Sequence, residues 1–138
     1  NLFNGVNFLI WLIGIGTLLA GAIGVSNIMM VTVKERTTEI GIRRAIGATP
    51  RMILSQILSE SILLTAVAGM SGILFGVSLL QMLELANTSD GILTAHFQVG
   101  FWTAIGAALI LSFLGGLAGL APAWRAMSIK PVDAMRDE

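Results

Sequence analysis

Cysteine is absent from the 138 residues, histidine occurs once, and charge is scarce. Without cysteine there is no disulfide, no thiolate metal site and no reading of the redox compartment. One histidine and no thiol leave a nucleophile–base pair inside the membrane without evident members. The phosphate-binding pattern GxxxxGK(S/T) is missing, as are HExxH and GxSxG. The chain is therefore expected to be no enzyme, to hold no metal and to bind no cofactor itself. Only 12% of residues are charged, about half of what a soluble domain carries. The first 33 residues have no charged side chain, so the basic start of a secretory signal is missing. The sequence reads as the C-terminal piece of a longer chain.

What is present is mostly apolar: 55% of residues are hydrophobic and the mean hydropathy is +0.86. The expected class is an all-α integral membrane protein. Three runs are long enough to span a bilayer, at about residues 8–30, 53–83 and 97–124. Backbone polar groups need internal partners in lipid, so each run is expected to be a helix. Basic residues sort the connections. Lys34, Arg36, Arg43, Arg44 and Arg51 crowd into one loop, and Arg125, Lys130 and Arg136 into the tail. Residues 84–96 contain no Lys or Arg. The positive-inside rule then puts the N-terminus of this segment outside, and the first loop and the tail in the cytoplasm. Phe8, Trp11, Phe97, Phe101, Trp102 and Trp124 fall near the ends of the spans, as interfacial aromatics do. His96, beside Phe97, is read as a surface or interface residue rather than a ligand.

The spans carry small residues at close-packing intervals: Gly72 with Gly76, Gly115 with Gly119, and Ala20 with Gly24. Such spacing lets helix backbones approach, and packing within one bundle is preferred here to a dimer seam. Asn27, with Ser26, is a polar pair suited to an interhelical hydrogen bond worth about 0.5–2 kcal/mol. Pro122 is expected to end or kink the third span at Ala121. Pro131 is expected to start a short tail helix.

The charged loop, KERTTEIGIRRAIGATPR at residues 34–51, is patterned. Glu39 and Arg43 form an acid-to-base i,i+4 pair. Ile42, Ala45 and Ile46 share one helix face. Gly47 supplies a C-terminal stop, and Thr49-Pro50 supplies an N-cap with proline at the first helical position. A short amphipathic helix over about residues 38–46 follows, turning sharply into the second span. A loop that only set topology and met anionic lipid would need neither the isoleucine spacing nor the paired charges. Arg51 lies in the first turn of the next helix, where the macrodipole disfavours a cation. It is expected to meet lipid phosphate or an acidic partner surface.

SNIMMVTVKERTTEIGIRRAIGA, residues 26–48, resembles the signature that joins the second and third spans of the MacB/FtsX-type ABC transporter permeases. ILSQILSESILLTAVAGMSGILFG resembles that family's third span, and GGLAGLAPAWRAMSIKPVDAMRDE its closing segment. The resemblance covers nearly the whole chain. Thr38 stands where the family often has a basic residue, and Arg44 where it often has lysine. The resemblance implies a four-span permease of the bacterial cytoplasmic membrane whose first span and large extracytoplasmic domain would precede this segment. It implies an ABC ATPase subunit or domain that uses the ATP, a second permease copy of identical or different sequence, membrane lipids and an extracytoplasmic accessory protein as partners. Nucleic acid is not among them. Residues 37–48 would be the coupling helix, with Glu39, Ile40, Ile42, Arg43 and Arg44 as its ATPase-docking surface. The function implied is export or mechanotransmission driven by ATP hydrolysis on that partner. The alternative is an FtsX-like signalling scaffold that activates an extracytoplasmic partner and transports nothing. An unrelated three-helix anchor is a third reading.

Glu60 is the one acid within a span, flanked by Ser59 and Ser61. An intramembrane acid is a functional candidate by default. Proton relay would need further ionisable groups in the spans, and these are lacking. Pairing with an arginine of the charged loop is the preferred reading.

Overall fold

The computed structural model describes residues 1–86, 99–134 and 136. Every element among them is a helix: α1 at Leu2–Glu35, α2 at Thr37–Ile46, α3 at Pro50–Ala86, α4 at Phe101–Met127 and α5 at Pro131–Ala134. The three long helices α1, α3 and α4 are each long and apolar enough to cross a membrane. At 1.5 Å per residue, the 34 residues of α1 and the 37 of α3 run about 50–55 Å, well past a ~30 Å hydrocarbon core. His96, Phe97 and most of the connection expected at residues 84–96 lie outside the described residues.

Helix α4 is the centre of the arrangement. It packs along α3 over a long seam and along α1, whereas α1 and α3 barely touch. Small residues set the α3–α4 seam. A Cβ on Gly115 would lie 2.6 Å from Thr65, one on Gly119 2.7 Å from Ser61, and one on Gly69 2.8 Å from Leu111. At that separation the backbones leave no room for a side chain. Ser61 uses the approach: its fully buried hydroxyl donates to the Gly115 carbonyl oxygen at 2.7 Å. The pair expected at Gly72 and Gly76 does not take part. Neither position has an atom within 4 Å of where a Cβ would stand. The closest approach of the two helices lies nearer α2, and Gly69 rather than Gly72 meets the neighbour there. Gly24 likewise meets nothing within 4 Å.

Pro122 does not end α4, which continues to Met127. The ring is fully buried. Proline at this position removes the N–H that would reach the Ala118 carbonyl and sets its ring against that carbonyl, yet the helix continues past it. Beyond it, Ala123 and Ala126 join Met29 and Val33 of α1, Ile40 of α2, and Ile53 and Ile57 of α3 in a single cluster of buried side chains. The core therefore sits at one end of the bundle, where α2 closes over it.

Candidate functional site

The site is α2 and the two turns that hold it. The break from α1 is one residue wide, at Arg36. Thr37 bridges it, its hydroxyl donating to the carbonyl oxygens of Val33 at 3.1 Å and Lys34 at 2.8 Å. The exit from α2 is a Schellman turn. Gly47 adopts φ 119°, a conformation that a side chain would strain. The Ala48 amide donates to Arg43 O at 3.0 Å and the Gly47 amide to Arg44 O at 3.2 Å. Thr49 then caps α3, its hydroxyl oxygen accepting from the Met52 amide at 3.4 Å, with Pro50 as the first helical residue. These local signals lie where the sequence puts them, and the helix starts one residue earlier, at Thr37.

The faces of α2 differ from the sequence reading. Thr37, Ile40, Gly41 and Arg44, at the spacing i, i+3, i+4, i+7, are the half-buried or buried residues. Ile40 is 7% exposed and belongs to the core, so it is no part of an exposed docking surface. Arg44 is also turned inward. Its Nη1 donates to the carbonyl oxygens of Met127 at 2.8 Å and Ile129 at 2.7 Å. The expected surface thus loses two of its five members, because the chain's own α4 claims them. Glu39, Ile42 and Arg43 remain exposed. The isoleucine stripe faces outward: Ile42 is 47% exposed and Ile46 82%.

Arg43 organises the outward side. Its Nη2 meets Glu39 Oε1 at 2.7 Å, and its Nη1 donates to Gln56 Oε1 of α3 at 2.8 Å. The exposed Glu39–Arg43 pair itself is worth only about 0.3–0.5 kcal/mol. Its use is positional: one guanidinium spans α2 and α3 across their turn. Beside it, Arg43, Ile46, Ala48, Met52, Ile53 and Gln56 line an open cleft of about 420 Å³ whose walls are mostly apolar. Met52 and Gln56 are members that sequence reading missed. Their position on α3, i and i+4 after the turn, is the signal that points to them.

The C-terminus of α4 shows why Arg44 is where it is. A helix leaves its last four carbonyls without partners. Here Trp124 O accepts from the Ser128 amide, Arg125 O from the Ser128 hydroxyl, Ala126 O from the Ile129 amide and Met127 O from Arg44. All four are satisfied, and one of the donors comes from another helix. A cation at this end also meets the negative pole of the macrodipole. Charge-assisted hydrogen bonds of this kind contribute about 1.5–3 kcal/mol each.

Glu60 lies on the α1 side. It accepts from Arg36 Nη1 at 3.3 Å, and both side chains are well exposed. Asn27 is exposed and makes no side-chain hydrogen bond among the described residues. Arg51 is exposed as well. Helix α5 lies against α2, and the Arg136 amide closes a turn on Asp133 O at 3.2 Å.

Three apolar helices gathered at one end under a braced, partly apolar short helix define a helical membrane protein with a platform at the edge of its spans. A family model described as FtsX-like permease C-terminal matches residues 11–131. The chain belongs to this family, that of the MacB/FtsX-type ABC transporter permeases. It is 40% identical over 115 residues to the uncharacterized ABC transporter permease YvrN of Bacillus subtilis, covering 83% of this chain and 27% of that protein. It is 43% identical over 133 residues to the macrolide export ATP-binding/permease protein MacB of Bradyrhizobium diazoefficiens, covering 95% of this chain and 19% of that one. It is 38% identical over 135 residues to the pyoverdine export ATP-binding/permease protein PvdT of Pseudomonas putida, covering 98% and 20%. The chain thus spans between about a fifth and three tenths of the length of such curated relatives.

Proposed function

We propose that this segment couples ATP hydrolysis on an ABC ATPase subunit or domain to work across the bacterial cytoplasmic membrane, with α2 as the coupling helix. The observation that carries the reading is the outward apolar stripe of Ile42 and Ile46, held at the mouth of the Met52 cleft on a helix whose other face is locked into the core. An exposed apolar patch rimmed by polar groups is the usual form of a protein-binding surface. The revised docking set is Glu39, Ile42, Arg43, Ile46 and Met52. The basic loop and tail support an orientation with α2 in the cytoplasm and the N-terminus of the segment outside. The chain itself is non-catalytic, ATP is bound by the partner, and the permease works as a pair of copies. The names of relatives, a macrolide exporter and a pyoverdine exporter, support export as the leading form of that work.

The test is co-purification of the full-length permease with its cognate ATPase, together with permease-stimulated ATP hydrolysis. In Ile42→Ser/Ile46→Ser, bound ATPase and stimulation are expected to fall about tenfold or more while membrane insertion persists, in line with the loss of an interface hot spot. Equal binding by wild type and variant would move docking elsewhere. Activation of an extracytoplasmic hydrolase with no substrate exported would replace export by signalling and leave the docking surface unchanged.

A further inference from the structure

Helix α2 is joined to its neighbours in sequence by two narrow hinges, the single residue Arg36 before it and the positive-φ Gly47 turn after it. Beside the Thr37 bonds to α1 and the Arg43–Gln56 bond to α3, it has a directional hold on α4, which is far away in sequence. Both Nη1 protons of Arg44 are spent on backbone oxygens of the α4 exit, Met127 O at 2.8 Å and Ile129 O at 2.7 Å. Around that grip, Ile40 shares the core with Ala123 and Ala126 of α4, and α5 lies along α2. Two short charge-assisted bonds from one nitrogen add a directional constraint to the apolar packing around them. Helices α1 and α3 barely touch each other, and each reaches the bundle chiefly through α4.

We infer that Arg44 makes α2 and the cytoplasmic end of α4 one mechanical body, so that displacement of α2 is delivered to α4 directly and not only by way of α1 and α3, to which Thr37 and Arg43 also tie it. Arg44 is a positioning residue in this scheme: it carries the motion and does not itself meet the ATPase. The inference rests on the docking reading above for the source of the push, but the clamp exists without it.

The experiment uses the full-length permease, with any cysteine outside this segment replaced and spin labels placed at Thr38→Cys on α2 and Lys130→Cys just past α4, both exposed positions. Without ATPase, the Thr38–Lys130 distance distribution is expected to be narrow in the parent and in Arg44→Lys, whose ammonium also donates to two carbonyls. In Arg44→Gln it is expected to broaden about twofold, since the charge-assisted pair is lost. With the ATPase bound, adding ATP is expected to leave the Thr38–Lys130 distance unchanged in the parent while the Lys130–Lys130 distance between the two copies shifts. Arg44→Gln is expected to keep ATPase binding, because Ile42 and Ile46 are untouched, yet to lose about half or more of the between-copy shift. A Thr38–Lys130 distance that itself changes on ATP in the parent overturns the inference, and needs no variant that folds. So does an Arg44→Gln protein whose distributions match the parent's. Failure of the parent to bind any ATPase sinks the docking reading and transmission with it, while the distributions without ATPase still decide whether the clamp exists.

Discussion

The two ends of the bundle are held by different means. At the α2 end, four helices share a core, carbonyls are capped from outside their own helix, and glycines bring α3 against α4. At the other end, residues 2–17 of α1 are exposed throughout, though the side chains there are at least as apolar. Hydrophobicity therefore does not say which part of a membrane helix is packed. Lipid tails are as apolar as leucine, so contact between spans needs close approach, polar ties or water at the boundary. The α2 end has close approach and polar ties.

The comparison can be broken most forcefully at the glycine seam. Gly119→Leu places a side chain where even a Cβ would meet Ser61 at 2.7 Å. It should destabilise the permease by about 3 kcal/mol or abolish insertion of a stable fold, since overpacking of this kind rarely relaxes. Gly72→Leu, with open space around it, should be close to neutral. Thermal unfolding of both in the same detergent checks the contrast, and equal losses would mean that the second glycine pair is packed after all.

A smaller effect is expected from truncating the core. Ile57→Ala removes a side chain that is 3% exposed and should cost about 2–3 kcal/mol. Ile13→Ala, from the exposed stretch of α1, should cost under about 0.5 kcal/mol in the isolated segment's own packing. Measuring the second change in the full-length permease sharpens the comparison. A large loss there would show that another element covers α1.

A small effect is also expected at the Arg36–Glu60 pair, which adds a polar tie between the end of α1 and α3. Both partners are exposed, so Glu60→Gln should change stability by less than about 1 kcal/mol. An unfolding shift well beyond that, removed by high salt, would make the pair a real tie between those two helices.

Much of this was legible in the residues. Gly47, Thr49 and Pro50 act through their own backbone preferences, so their turn and cap needed no knowledge of neighbours. Ile40, Arg44, Ser61 and Gly72 were a different case. Isoleucine spacing on α2 shows that there is an apolar stripe but not which way it points. Ile42 and Ile46 face out because the inner face is filled by Ile40 and Gly41 and closed by Arg44. Ser61 looked like a flank of Glu60, yet its hydroxyl is the buried tie to Gly115. Two glycine pairs of the same spacing looked alike, and only one lies at the closest approach.

By itself the sequence determined that this chain spans a membrane as helices, where its charge lies, and where α2 begins to be patterned and ends. Those properties depend on composition, on the needs of a backbone in lipid and on bonds reaching no more than about one turn. The tertiary structure alone decided that α4 is the centre, that Arg44 reaches across 83 and 85 positions to cap it, and that the isoleucines of α2 are left outside. Such choices turn on which helix surfaces come within a few ångströms of one another, and that is set by the fit of whole helices rather than by any local run of residues.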